Sequence, residues 1–114
     1  MRLETINPAT AEHIASYDVM PPAVIDDILQ GLYIGFLKWR RSDSAERSRV
    51  LKKSAAILRE RHDTYAKLIT REMGKPLSQS NSEIEKCAQG CDYFADHAEE
   101  FLEPRLVPTE ASLS

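Results

Sequence analysis

From Ser44 to Met73 the chain runs thirty residues without a glycine or a proline. Asp43 stands just before this run, with Glu46 three residues on. That pairs a side-chain oxygen for the first free amides with a carboxylate in the first turn. Val50, Leu51, Ala55, Leu58, Tyr65, Leu68, Ile69 and Met73 place apolar groups at helical spacing. Gly74 tolerates the left-handed conformation that closes a helix, and Pro76 cannot continue one. The spacing therefore predicts one helix of about 45 Å, at roughly 1.5 Å per residue. A helix of that length needs a broad surface to pack on. A chain of 114 residues, one domain at most, leaves little material to supply it.

The flanks supply short elements. Residues 3–7 and 13–19 alternate in part, with Ile6, Ile14, Tyr17 and Val19 as inward candidates. Asn7-Pro8 initiates a turn between them, so a small β-hairpin is expected. Pro21-Pro22 opens a first helix, where a missing N–H has no partner to lose. Ile25, Ile28, Leu29, Leu32, Phe36 and Trp39 form one face of it. Gly31 and Gly35 weaken it by roughly 1 kcal/mol each. A last helix begins between Ser78 and Ser82. Ser80 with Glu83 and Ser82 with Glu85 fit a capping box equally well. Ile84, Ala88, Cys91, Ala95 and Ala98 form its stripe, joined by Cys87, Phe94, Phe101 and Leu102, and Pro104 stops it. The expected fold is mostly α, three helices with a small N-terminal β-hairpin. It forms one unit over residues 1–114, with an extended tail over 105–114.

Charge divides the chain. The net is −4 over residues 1–35, +7 over 36–75 and −6 over 76–114, within a total of −3. The central block reads as a solvated helix facing acidic neighbours. Trp39 and Tyr65 are too far apart for a base-stacking surface, so nucleic acid is not expected as a partner. The longest apolar stretch, Gly31 to Leu37, is far short of the roughly 20 residues of a membrane span. With Glu4 near the start and no apolar leader, no secretory signal is expected. Two cysteines make no disulfide framework, which favours a reducing, cytoplasmic setting.

Catalytic signatures are missing. Gly31, Gly35, Gly74 and Gly90 build neither a dinucleotide fingerprint nor a phosphate loop. There is no G-x-S-x-G elbow. Cys87 and Cys91 stand four apart on a helix without a second ligand pair, so core packing is expected for them rather than zinc or nucleophilic chemistry. His13, His62 and His97 read as surface residues.

Three stretches nevertheless resemble one family in collinear order. Thr5-Ile6-Asn7-Pro8-Ala9-Thr10-Ala11-Glu12 is similar to the T-x-N-P-A-T-G-E hairpin of NAD(P)-dependent aldehyde dehydrogenases. Phe36-Leu37-Lys38-Trp39-Arg40, then Glu46-Arg47 and Leu51, is similar to that family's F-x-x-W-R … E-R-x-x-x-L. Glu72-Met73-Gly74-Lys75-Pro76-Leu77, then Glu83, Lys86-Cys87-Ala88 and Tyr93-Phe94-Ala95, most resembles the succinate-semialdehyde dehydrogenase branch. The likeness spans roughly residues 4–107. It departs at Ala11, where the family usually has glycine, and at Gly31 and Gly35, where alanine is common.

The resemblance implies an N-terminal fragment of the α/β aldehyde dehydrogenase fold, part of its cofactor-binding domain and not active alone. The intact parent would turn an aldehyde, succinate semialdehyde foremost, into the acid. Its steps would be thiolate attack, hydride transfer to NAD or NADP, and thioester hydrolysis. The family's nucleophilic cysteine, general-base glutamate, oxyanion-binding asparagine and cofactor turn all fall beyond residue 114. No catalytic residue and no cofactor-binding residue is therefore assigned here, and no cofactor is expected for this chain alone. One minor site carries over: a monovalent cation held by the backbone carbonyls of Thr5 and Ile6 and by Glu72, with a further ligand from downstream sequence. The implied partners are a complementary C-terminal fragment or intact dehydrogenase subunits. A stand-alone helical protein-interaction module is the competing expectation, because uncovered apolar faces mark a partner surface.

Overall fold

The computed structural model describes residues 1–108. Two strands open it, β1 (Arg2–Ile6) and β2 (His13–Asp18), paired antiparallel. Asn7 accepts the Ala11 amide at 2.8 Å and its own side chain accepts from Ala9 N–H at 2.9 Å, which closes the turn expected at Asn7-Pro8. Thr5 faces Ala15 but Ile6 faces His13, so Ile14 is an extra residue in β2. Ile14 is half-buried, whereas Ile6, Tyr17 and Val19 stay exposed. Ala11 has φ 60°, the one non-glycine residue with positive φ among those described. The position where the family's glycine is missing is thus one that favours glycine.

Helix α1 (Pro22–Trp39) starts at the expected proline, and none of its residues is buried. The face running from Ile25 to Trp39 is helical as expected, and its apolar side chains stay exposed.

The long central helix is two helices, so the molecule has four helices rather than three. α2 (Ser44–Glu60) and α3 (His62–Met73) meet at Arg61, whose φ of −102° and ψ of 18° lie off the helical values. The backbone bonds from Arg61 N–H to Ile57 and from Tyr65 N–H to Arg61 survive on either side. No local breaker causes the bend. Both halves lie along one partner, α4 (Leu77–Leu102), and the His62 ring reaches across to the Asn81 carbonyl at 3.1 Å. Tertiary packing overrides a sequence that would otherwise continue straight.

Asp43 caps α2 as expected, accepting Glu46 N–H at 2.6 Å. Gly74 closes α3 with φ 70°. α4 begins earlier than the serine caps predicted, directly after Pro76 and without a side-chain cap. Ser80 is instead fully buried and bonds Thr70 through their hydroxyls at 2.9 Å, while Glu83 pairs with Lys75. α4 runs antiparallel to α2, as Ser48 to the Ala95 carbonyl (2.7 Å) and Arg59 to Glu85 (3.2 Å) show.

The core is a thin seam between these helices: Ala55, Ala66, Ile84 and Ala88, with Ser80. Leu51, Leu58, Tyr65 and Ile69 are half-buried, and Val50, Leu68 and Met73 are exposed. Cys91 is half-buried, but Cys87, expected in the core, is exposed. It sits at the edge of the stripe that Ser80, Ile84 and Ala88 define. The radius of gyration is 20.6 Å, against about 13 Å for a compact domain of roughly 100 residues. The predicted tail over 105–114 carries no regular structure to residue 108, and its remainder lies outside the described residues.

Candidate functional site

The residues implicated in cation binding lie beside two turns, one at the end of β1 and one at the end of α3. Thr5 and Ile6 end β1, two residues before Pro8. Glu72 stands in the last turn of α3, two residues before Gly74. Pro8 lies directly against Gly74: a Cβ built on Gly74 would come within 2.9 Å of the proline Cγ. The hairpin turn and the α3–α4 turn therefore touch. The contact requires a glycine twice over, for its positive φ and for its missing side chain. Thr5 is half-buried, with its hydroxyl 3.5 Å from the Ala15 carbonyl; Ile6 and Glu72 are exposed. The Glu72 carboxylate has no hydrogen-bond or ion-pair partner among the described residues. Carbonyl and carboxylate oxygens are hard donors, chemically suited to a hard cation. No cluster of three or more His, Cys, Asp or Glu side chains able to hold a metal occurs among the described residues.

The α2–α4 seam carries most of the paired charge. Lys52 reaches Asp96 at 2.7 Å and Asp92 at 3.3 Å, and Arg59 reaches Asp92 at 2.8 Å. The Arg59 guanidinium, with help from Lys52, holds the Asp92 carboxyl below its ordinary range. In return Asp96 and then Asp92 raise the Lys52 ammonium, and Asp92 and Glu85 raise Arg59. Opposite charges favour each other's ionised forms. Lys52 and Arg59 of the +7 block thus meet Glu85, Asp92 and Asp96 of the acidic C-terminal block.

Other polar groups are occupied or isolated. His97 donates from Nδ1 to the Tyr93 carbonyl at 2.8 Å, and its ring stacks on Tyr93 with centroids 4.5 Å apart. It is half-buried rather than the surface residue expected. His62 is likewise half-buried against Asn81, while His13 is exposed and bonds Ser16 at 2.7 Å. Cys87 lines an open hollow with Ser82, Glu83 and Lys86, and no histidine borders it to act as base. A second cleft of about 300 Å³ lies between the start of α2 and the end of α4, walled by Leu51, Phe94, Ala98 and Leu102. No glycine-rich turn ahead of a helix is available to seat a pyrophosphate, so the described residues do not fit a dinucleotide by themselves. The Pro8–Gly74 contact was not foreseen from the sequence. The doubled signal of Asn-Pro and Gly-Lys-Pro marked two turns but not their meeting.

Comparison with known proteins gives a consistent picture. The profile of the Aldehyde dehydrogenase family matches residues 1–114. A probable succinate-semialdehyde dehydrogenase [NADP(+)] of Synechocystis is 38% identical over 114 residues, covering 100% of this chain and 25% of that protein. A succinate semialdehyde dehydrogenase [NAD(P)+] of Escherichia coli is 39% identical over 114 residues, covering 96% and 24%. The crystal structure of succinic semialdehyde dehydrogenase from Streptococcus pyogenes with NADP+ superposes with a TM-score of 0.87 at 36% identity. It covers 94% of this chain and 24% of that one. The chain spans about a quarter of the length of the relatives it matches. Among the described residues no helix is long and apolar enough to cross a membrane.

Proposed function

This chain belongs to the aldehyde dehydrogenase family, and from that premise we propose that it forms the N-terminal helical part of the cofactor-binding domain, over residues 1–114, of an enzyme oxidising succinate semialdehyde to succinate. The observation that carries the reading is the collinear likeness across the whole chain to relatives bearing that activity in their names. The uncovered face of α1 supports it, because a surface of that extent in a soluble protein marks a contact still to be made. The same face motivates an interaction module, and the family premise accounts for it without an unrelated partner.

The overall conversion moves a hydride from the aldehyde carbon to the cofactor and an oxygen from water into the acid. NAD(P)+ supplies the hydride acceptor when bound. The residues of this chain do not perform the transfer: Cys87 and Cys91 lie on α4 without a neighbouring base. Their part is architectural, building the α2–α4 layer and presenting α1. The partner is then the remaining part of a dehydrogenase chain, and the setting the cytoplasm. Thr5 and Ile6 carbonyls with the Glu72 carboxylate form a subsidiary site for a monovalent cation, completed by donors from elsewhere.

Co-expression tests the reading. The chain is produced with the remaining three quarters of the Escherichia coli relative, as separate polypeptides and as a single fused one. Succinate-semialdehyde-dependent NAD(P)H formation is expected from the combined proteins and none from the 114-residue chain alone. Turnover by the lone chain, or a properly folded fusion that is inert, overturns it.

A further inference from the structure

We propose that Arg47 is a clamp that fixes the direction in which α1 leaves the helical layer. α1 buries no residue, so packing along its length does not hold it. Its last turn runs into the elbow of residues 40–43, where the Lys38 and Trp39 carbonyls already accept the Arg41 and Ser42 amides at 3.1 and 3.0 Å. Arg47, one turn inside α2 and half-buried, reaches back into that elbow. Its Nη2 donates to the Arg40 carbonyl at 3.2 Å and lies 3.5 Å from that of Trp39. Its Nε donates to Ser42 Oγ at 3.1 Å, and Ser42 in turn donates to the Trp39 carbonyl at 2.8 Å.

One planar fork thus ties the C-terminal end of α1 to the first turns of α2 through two carbonyls and a hydroxyl. A guanidinium is suited to this, since its donors are fixed in one plane, and its charge is favourable at a helix C-terminus. The neighbouring cations do not share the task. Arg40, just past the end of α1, folds back over the Phe36 ring at 5.7 Å. At the other end, α1 joins the hairpin through the short link of residues 19–21. The elbow is therefore where the orientation of the apolar face is set. This conformational role does not depend on the reaction assigned to the family.

Backbone amide order parameters of the chain test the clamp. In the unsubstituted chain the amides of α1 are expected at about 0.85, and in Arg47→Ala below about 0.6, with α2 and α4 unchanged. Arg47→Lys should resemble Arg47→Ala, because one ammonium cannot reproduce the fork. An α1 that stays as rigid in Arg47→Ala overturns the proposal, and so does full rescue by lysine. Should Arg47→Ala fail to fold, Ser42→Ala removes the bridging hydroxyl alone. A partial fall confined to α1 supports the clamp, and no change overturns it.

Discussion

The most apolar helix of this protein is its least buried. α1 carries three charged residues in eighteen, Asp26, Asp27 and Lys38, and none of its residues is buried. α2 carries seven in seventeen, yet contributes Ala55 to the core and lies along α4. The difference separates two ways of being stable. α2, α3 and α4 satisfy one another, with a seam of small side chains and cross-helix bonds from Ser48, Lys52, Arg59 and Thr70. The hairpin and α1 hold their shape locally and leave their apolar surface open. Burial, not hydrophobicity, tells which part of a chain supplies its own partner.

Emptying the seam should cost this protein the most stability. Ile84 is 5% exposed between α4 and its partners. Ile84→Ala should lower stability by about 2–5 kcal/mol, from lost apolar burial and the cavity left behind. Urea titration followed by helix content checks it. A change near zero would mean that α2, α3 and α4 are no better packed than α1.

Next in size is the contact between the two regions. Gly74→Ala places a methyl on a left-handed backbone, at about 1–2 kcal/mol, and drives it against Pro8. Loosened amide protection in the hairpin turn should accompany the loss. The complementary change lies at Ala11, with φ 60°. Ala11→Gly relieves a similar left-handed penalty but adds freedom to the unfolded chain, so a gain below about 1 kcal/mol is expected. Thermal midpoints of the two variants should move in opposite directions.

Local chemistry made much of this fold legible. Proline pairs and Asn-Pro marked the start of α1 and the hairpin turn, Asp43 marked the cap of α2, and Gly74 with Pro76 marked the end of α3. Each is a signal contained in a few neighbouring residues. The break at Arg61 has no such signal, because it follows from α2 and α3 lying on the same partner, a constraint that exists only once α4 is in place. Ser80 misled for a related reason. A serine before Glu83 fits a cap, but Pro76 starts the helix a turn earlier and the hydroxyl finds Thr70 instead. The implied cation residues were legible as two separate turns. That those turns touch, Pro8 against Gly74, is encoded by no spacing along the chain.

The smallest expected effect discriminates most finely. The apolar face of α1 was legible as a face, yet periodicity cannot say whether its cover lies in the same 114 residues. Ile28 is 45% exposed on that face. Ile28→Ser should change the stability of the chain by no more than about 0.5 kcal/mol, as for a surface position, apart from a small propensity difference. The same substitution should reduce binding of an apolar dye and weaken association with the remaining three quarters of a family member, because there the isoleucine would be buried. A loss approaching that of Ile84→Ala in the lone chain would place α1 within the folded layer and erase the distinction between the two regions.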